Sequence, residues 1–275
     1  MKAKAIILLL CLVFVASSTS FGQRTHSFAA GVGTIYYYGD LTDNFNNSLL
    51  SPALSVSYSK YILPQISFRV GAGYGDIGAT DNQAIDPLRV NRNLHFKSSM
   101  MELSGVIVYE ILRDKNFGNA WQGKPFMTPY IFGGIAFFRF NPKALKDNVW
   151  HELQPLGTEG QYIPGNSPGP YSLIQASVPL GAGMSIRMSE RAGMNFEVGY
   201  RTTFTDYLDD VSTVYPDFGQ LREQSGQLAV DLSHRALDQS FSPGDIRGNP
   251  GANDSYFFAM FSITYYLNRY ASRDF

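Results

Sequence analysis

Cysteine is nearly missing from these 275 residues: Cys11 stands alone, inside an apolar run near the start. With one thiol there is no internal disulfide, and once that run is cut away the chain has no thiolate nucleophile and no cysteine-held metal. Charge is also sparse, at 16% Asp, Glu, Lys and Arg, with no basic excess. A nucleic-acid partner, which demands a basic face, is therefore not expected. Long apolar runs are lacking too, since after residue 22 nothing approaches the ~18 consecutive apolar residues of a transmembrane helix. Any membrane crossing has to be made by strands, whose backbone groups pair with one another.

The first 22 residues have the build of an export signal. Lys2 and Lys4 supply the positive start, residues 5–15 the apolar stretch, and Ser20, Phe21 and Gly22 a small-x-small cleavage site. Cutting there leaves one expected domain, residues 23–275, with 20 basic against 23 acidic residues and a net charge of −3. The 26 glycines of the whole chain, with 14% aromatic residues, suit an all-β domain.

Residues 194–211, MNFEVGYRTTFTDYLDDV, set the pattern for the rest. Met194, Phe196, Val198, Tyr200 and Phe204 share one parity; Asn195, Glu197, Gly199, Arg201, Thr203 and Thr205 share the other, which is the period of an extended strand. Seven further segments extend over 28–38, 52–62, 66–75, 94–112, 128–140, 171–188 and 255–267. In the third, Ile66, Phe68, Val70, Ala72 and Tyr74 oppose Ser67, Arg69, Gly71 and Gly73; the second opposes its apolar face with Ser55, Ser57 and Ser59. Segment 128–140 is apolar on both faces and discloses less.

The connections alternate in length. Residues 39–51, 76–93, 141–170 and 206–254 are long and polar, whereas 63–65 and 189–192 are tight turns; 113–126 is longer than the alternation requires. A barrel with its N-terminus in the periplasm and its long loops outside has this alternation. The expected fold is all-β: a closed antiparallel eight-stranded transmembrane β-barrel with long outer loops, in the outer membrane of a Gram-negative bacterium, its greasy face against outer-membrane lipid. Eight strands leave a lumen filled by side chains. Arg69, Glu102, Glu110, Arg187, Glu197 and Arg201 fall on the polar face and are expected to pair inside that lumen, because buried charges need partners.

Chemistry-bearing motifs are weak. Gly73, Gly75 and Gly78 spell GxGxxG, but residues 79–93 carry no helical period to present a helix N-terminus to a phosphate. His151 and Glu152 lack a second His four residues on, and Asp206, Asp209 and Asp210 lack the ligand alternation of a calcium loop. No metal, cofactor, small-molecule substrate or catalytic set is expected. Loops of 30 and 49 residues are long enough to be functional. Their first parts, with Asn141, Pro142 and Lys143 in one and Asp206, Tyr207, Asp209 and Asp210 in the other, are expected to form a partner-contact surface. Leu221, Leu228 and Leu232 place a short helix within 220–235, over the barrel mouth.

Four segments add a resemblance. PYIFGGIAFFRFNPKA (129–144), LQPLGTEGQ (153–161), YSLIQASVPLGAGM (171–184) and YRTTFTDYLDDVSTVYPD (200–217) are together similar to the PorG-type outer-membrane β-barrel proteins of Bacteroidota. The resemblance implies a non-enzymatic component of the type IX secretion and gliding machinery, associated with periplasmic secretion-ring proteins that include a lipoprotein. A covalent disulfide tie to such a partner is excluded by the cysteine-free mature chain. The rival expectations are a stand-alone structural or adhesive barrel, a lipid-modifying barrel enzyme and a soluble lipocalin-like carrier.

Overall fold

The structure is a computed structural model that describes residues 26–42, 49–63, 65–112, 125–166, 169–238 and 241–267. The expected export signal with Cys11 lies outside the described residues, as do Pro64 of the first tight turn and most of the 113–126 connection.

Strands with one apolar face in a membrane must satisfy every backbone polar group by pairing, and only a closed ring leaves no open edge. Eight long strands do this: β1 (His26–Tyr38), β2 (Ser51–Leu63), β3 (Ile66–Thr80), β4 (His95–Glu110), β5 (Phe126–Arg139), β8 (Ile174–Arg187), β9 (Ala192–Thr203) and β10 (Ser255–Tyr266). Each pairs antiparallel with the next, and β10 returns to β1 with Phe261 opposite Val32 and Tyr265 opposite Phe28. Two short strands, β6 (Pro142–Lys146) and β7 (Val149–Glu152), form a hairpin that joins the loop end of β4, Lys143 facing Lys97.

The outward face is the apolar one. Val32, Leu54, Leu103, Ile135, Val198 and Ile263 are between 58% and 66% exposed. Each such side chain is worth about 1.5–3 kcal/mol on moving from water to apolar surroundings, so the wall is built for hydrocarbon. The inward face mixes charge, hydroxyls and rings. Phe132 and Tyr130 of β5 fit inside because the facing residues are Gly181 and Gly183 of β8, where a Cβ would stand 2.4 Å from either ring. Strand β5 is therefore apolar on both sides for two different reasons: Ile131, Ile135 and Phe137 meet lipid, while Tyr130, Phe132 and Phe138 fill the lumen.

Four details depart from the sequence reading. Strand β3 runs on past Gly75 to Thr80, because Asp76 to Thr80 keep pairing with Ser99 to His95 of β4. The following loop does hold a helical turn, α1 (Pro87–Arg92), started by Asp86, whose carboxylate accepts from the Leu88 amide at 2.9 Å, with Pro87 at the first position. The β6–β7 hairpin turns at Asp147 and Asn148, φ 50° and 63°, the left-handed pair of a two-residue turn. The helix expected over 220–235 is two helices, α2 (Phe218–Ser225) and α3 (Gln227–Ser233), divided at Gly226 with φ 86° and ψ 174°, a conformation open essentially to glycine alone. Leu221 and Leu232 are buried by them.

Both ends of the described barrel strands, His26 and Tyr266, lie at the end of the barrel that carries the tight turn 188–191. Whereas the connection that follows β4 starts and finishes at the turn end, those that follow β1, β3, β5 and β9 gather at the opposite end. There Ile35, Tyr37, Phe96, Met100, Phe138, Phe140, Tyr171 and Leu208 form one buried cluster that joins the loops to the upper lumen as a plug.

Candidate functional site

Two ion pairs cross the lumen. The Arg69 guanidinium reaches Glu197 at 2.6 Å, Tyr130 donates to the same carboxylate oxygen at 3.0 Å, and the guanidinium stands 4.9 Å from the centre of the Phe132 ring. One level toward the loops, Arg201 grips Glu102 with both Nε (3.1 Å) and Nη2 (3.3 Å), the Tyr256 hydroxyl donates to Glu102 at 2.8 Å, and Phe258 lies under the guanidinium. Each carboxylate thus has a cation and a phenol, the arrangement that offsets the cost of burying charge. The cavities beside Arg69 hold about 70 Å³ and about 50 Å³. Glu110 and Arg187 sit nearer the turn end. Glu110 accepts from Tyr61 at 2.5 Å, and Arg187 donates to the Ser189 and Glu190 carbonyls, closing the 188–191 turn.

The plug is organised differently. Arg92 clasps Asp81 with two bonds of 2.8 Å, and Asp81 in turn accepts from the Leu94 amide. Arg247, 2% exposed, reaches Glu159 at 2.8 Å, and Glu159 also accepts from the Ser212 and Thr213 amides and the Thr213 hydroxyl. Asp210, fully buried and in the left-handed region at φ 67°, accepts from Tyr171 at 2.6 Å and from Thr158. Burial pushes its carboxyl up to about 6 against the opposing pull of Arg247, Thr158 and Tyr171.

Asp209 and Asp254 converge on one hydroxyl, Tyr37, at 2.5 and 3.2 Å. That hydroxyl has one proton to give, so a second hydrogen bond requires a proton on one of the two carboxyls. Both stand well above the usual carboxylate range, first from burial and then from neighbouring acids, Asp40 for Asp209 and Asp209 and Asp206 for Asp254. Asp206 is only 8% exposed, with both carboxylate oxygens buried. Burial, aided by Asp40 and Glu159 and opposed by Ser212, pushes it up to about 7.

The expected contact residues divide. Asp206, Tyr207, Asp209 and Asp210 are buried members of the plug, not a surface: Tyr207, Asp209 and Asp210 bond to Glu159, Tyr37 and Tyr171 from distant parts of the chain, and Asp206 is buried beside them. Pro142 is buried; Asn141 and Lys143 sit at the rim, both bonded to Glu152, at 2.8 and 3.1 Å. All seven lie at the loop end, away from the ends of β1 and β10. A periplasmic N-terminus and periplasmic partners cannot both be met by this surface. Sequence reasoning passed over Tyr37, Asp40, Asp81, Arg92, Glu159, Arg247 and Asp254; of these, Glu159 alone lay in one of the four segments that carry the resemblance, LQPLGTEGQ. Among the described residues, no group of three or more His, Cys, Asp or Glu is arranged to hold a metal ion. His151 faces Ala144 in the hairpin, and Gly73, Gly75 and Gly78 all lie within β3.

An antiparallel barrel of eight strands, apolar without, charge-paired within and capped by its loops, defines an outer-membrane β-barrel protein. The chain belongs to the family described as "Domain of unknown function (DUF6089)", whose model matches residues 3–229. No curated protein matches it. Among solved structures it is similar to Neisserial surface protein A, with 7% identity and a TM-score of 0.44 over 90% of this chain and 100% of that one. Ail, the attachment invasion locus protein of Yersinia pestis, in complex with the heparin analogue sucrose octasulfate, gives 8% identity and a TM-score of 0.42 over 90% and 100%. The outer membrane enzyme PagL gives 11% and 0.34 over 86% and 97%.

Proposed function

We propose that this barrel is a non-enzymatic outer-membrane component that anchors or organises a type IX secretion and gliding assembly, with its N-terminus and tight turns in the periplasm. One observation carries the reading. Segments on which the PorG-type resemblance rests, far apart in sequence, meet in a single buried network: Thr158 and Tyr171 both donate to Asp210, and Glu159 accepts from Tyr207. The residues that carry the resemblance thus come together in one buried plug of this chain and are not scattered over its surface. A lumen occupied by ion pairs further supports a part that holds others in place over one that conducts.

In this reading the periplasmic secretion-ring proteins, including the lipoprotein, meet the turn end, where Glu190 and Arg191 project. Co-purification from detergent-solubilised outer membrane tests it. Ring subunits should accompany the tagged barrel, and their absence under conditions that keep the ring intact would remove the secretion role.

A stand-alone adhesive barrel is the second reading, favoured by Val149 (54% exposed) and Trp150 (45% exposed) on the β6–β7 hairpin. It is distinguished by a hairpin deletion that abolishes surface binding while secretion continues.

A further inference from the structure

We infer that a groove on the outer wall, where β4 meets β5 and β6, binds a phosphate-bearing glycolipid of the outer leaflet. The inference rests on the orientation adopted above, with the long loops outside the cell.

The groove measures about 380 Å³ and is lined by Tyr74, Lys97, Met101, Arg139, Lys143 and Trp150. Its placement follows from register. On β4 the outward residues climb from Leu103 and Met101, 66% and 60% exposed, to Ser99 and Lys97. Tyr74 of β3 and Arg139 of β5 flank Met101, and Lys143 of β6 stands opposite Lys97. The wall changes from apolar to cationic within two outward positions, which is where a lipid changes from chain to headgroup.

The charges are assembled for an anion. Two lysines directly opposite across strands repel. Each has one carboxylate, Lys97 with Asp76 at 3.4 Å and Lys143 with Glu152 at 3.1 Å, yet their side chains remain 54% and 40% exposed. Arg139 brings the local sum to three cations against two carboxylates. Tyr74 and Trp150 add aromatic faces at the height where such rings settle at a membrane surface. A phosphate at Lys97, Arg139 and Lys143, a sugar on Trp150 and acyl chains along Met101 and Leu103 satisfy all of these features together. Free phosphate would use only the cations.

The full chain purified in a zwitterionic detergent is offered bis-phosphorylated lipid A, its dephosphorylated form, phosphatidylethanolamine or inorganic phosphate, and bound lipid is read by native mass spectrometry. The expected result is one retained lipid A, lowered about tenfold by removing its phosphates or by K97Q/R139Q/K143Q together. Equal retention by the triple variant, equal binding of dephosphorylated lipid A or of phosphatidylethanolamine, or full displacement by millimolar inorganic phosphate would overturn the proposal. If the triple variant fails to fold, Arg139→Gln alone should lower retention about threefold, and no change would count the same way. Labelling of Lys143→Cys on intact cells tests the orientation separately: no labelling there removes the premise, whereas loss of ring co-purification leaves this binding untouched.

Discussion

The lumen and the plug bury charge in opposite ways. In the lumen Arg69 answers Glu197 and Arg201 answers Glu102, one cation to one carboxylate. In the plug Arg247 is shared by Glu159 and Asp210, while Asp206, Asp209 and Asp254 crowd together around Tyr37 and the loop backbone. The contrast teaches that the barrel wall is locked by pairing whereas its cap holds carboxyls that keep their protons. The stability of the cap should therefore depend on pH.

The largest expected effect is in the plug. Replacing Arg247 with Met leaves Glu159 and Asp210 facing each other without their shared cation, a loss of about 3–5 kcal/mol. Protease cleavage of the 206–254 loop should accelerate while the barrel's own unfolding stays put; unchanged cleavage would show that the cation does not hold the cap. The lumen counterpart is Glu102→Ala, which strands Arg201 and should cost the barrel about 3 kcal/mol in its urea unfolding. Glu102→Leu with Arg201→Met should recover most of that, since a well-packed apolar pair can replace a buried ion pair.

Gly226→Ala comes next, with about 1–3 kcal/mol lost at the α2–α3 junction because alanine does not tolerate that backbone, seen as faster cleavage within 218–233. The pH dependence of the cap is of similar size. Asp206 at about 7 and Asp210 at about 6 both lie above the ~3.9 of an unfolded aspartate, so the folded cap binds more protons than the unfolded one. Their stabilising contribution is complete below pH ~4 and is lost as pH rises to about 7. Loop cleavage should therefore be slower at pH 5 than at pH 8, with Asp206→Asn removing much of the difference and steadying the cap at pH 8 by about 1–2 kcal/mol. The smallest effect is Lys146→Ala, which breaks a solvent-screened pair with Asp231 (2.9 Å) and should leave the rate of loop cleavage almost unchanged.

Much of the wall was legible because a membrane strand writes its two environments in alternate residues: Val198 and Glu197 were assigned to opposite faces from parity alone. The charged set was legible in the same way, but its pairing was not, since Arg69 and Glu197 are 128 residues apart. The β6–β7 hairpin was missed although Asp147-Asn148 between Leu145 and Val149 is a turn signal; Pro142 and the polar surroundings masked two very short strands. The acidic loop was misplaced for a plainer reason. Aspartates are mostly found on surfaces, and nothing local in TDYLDD reveals that Tyr37, Thr158, Tyr171 and Arg247 arrive from elsewhere to bury it.

The measurement that bears most directly on the whole account is single-cysteine labelling in native outer membrane, with the lone natural cysteine, Cys11, replaced by serine. Cysteines at Leu103, Val198 and Ile263 should be shielded from a water-soluble maleimide and reached by a lipid-soluble one. Ready reaction of all three with the water-soluble reagent in intact membrane would contradict the lipid-facing wall.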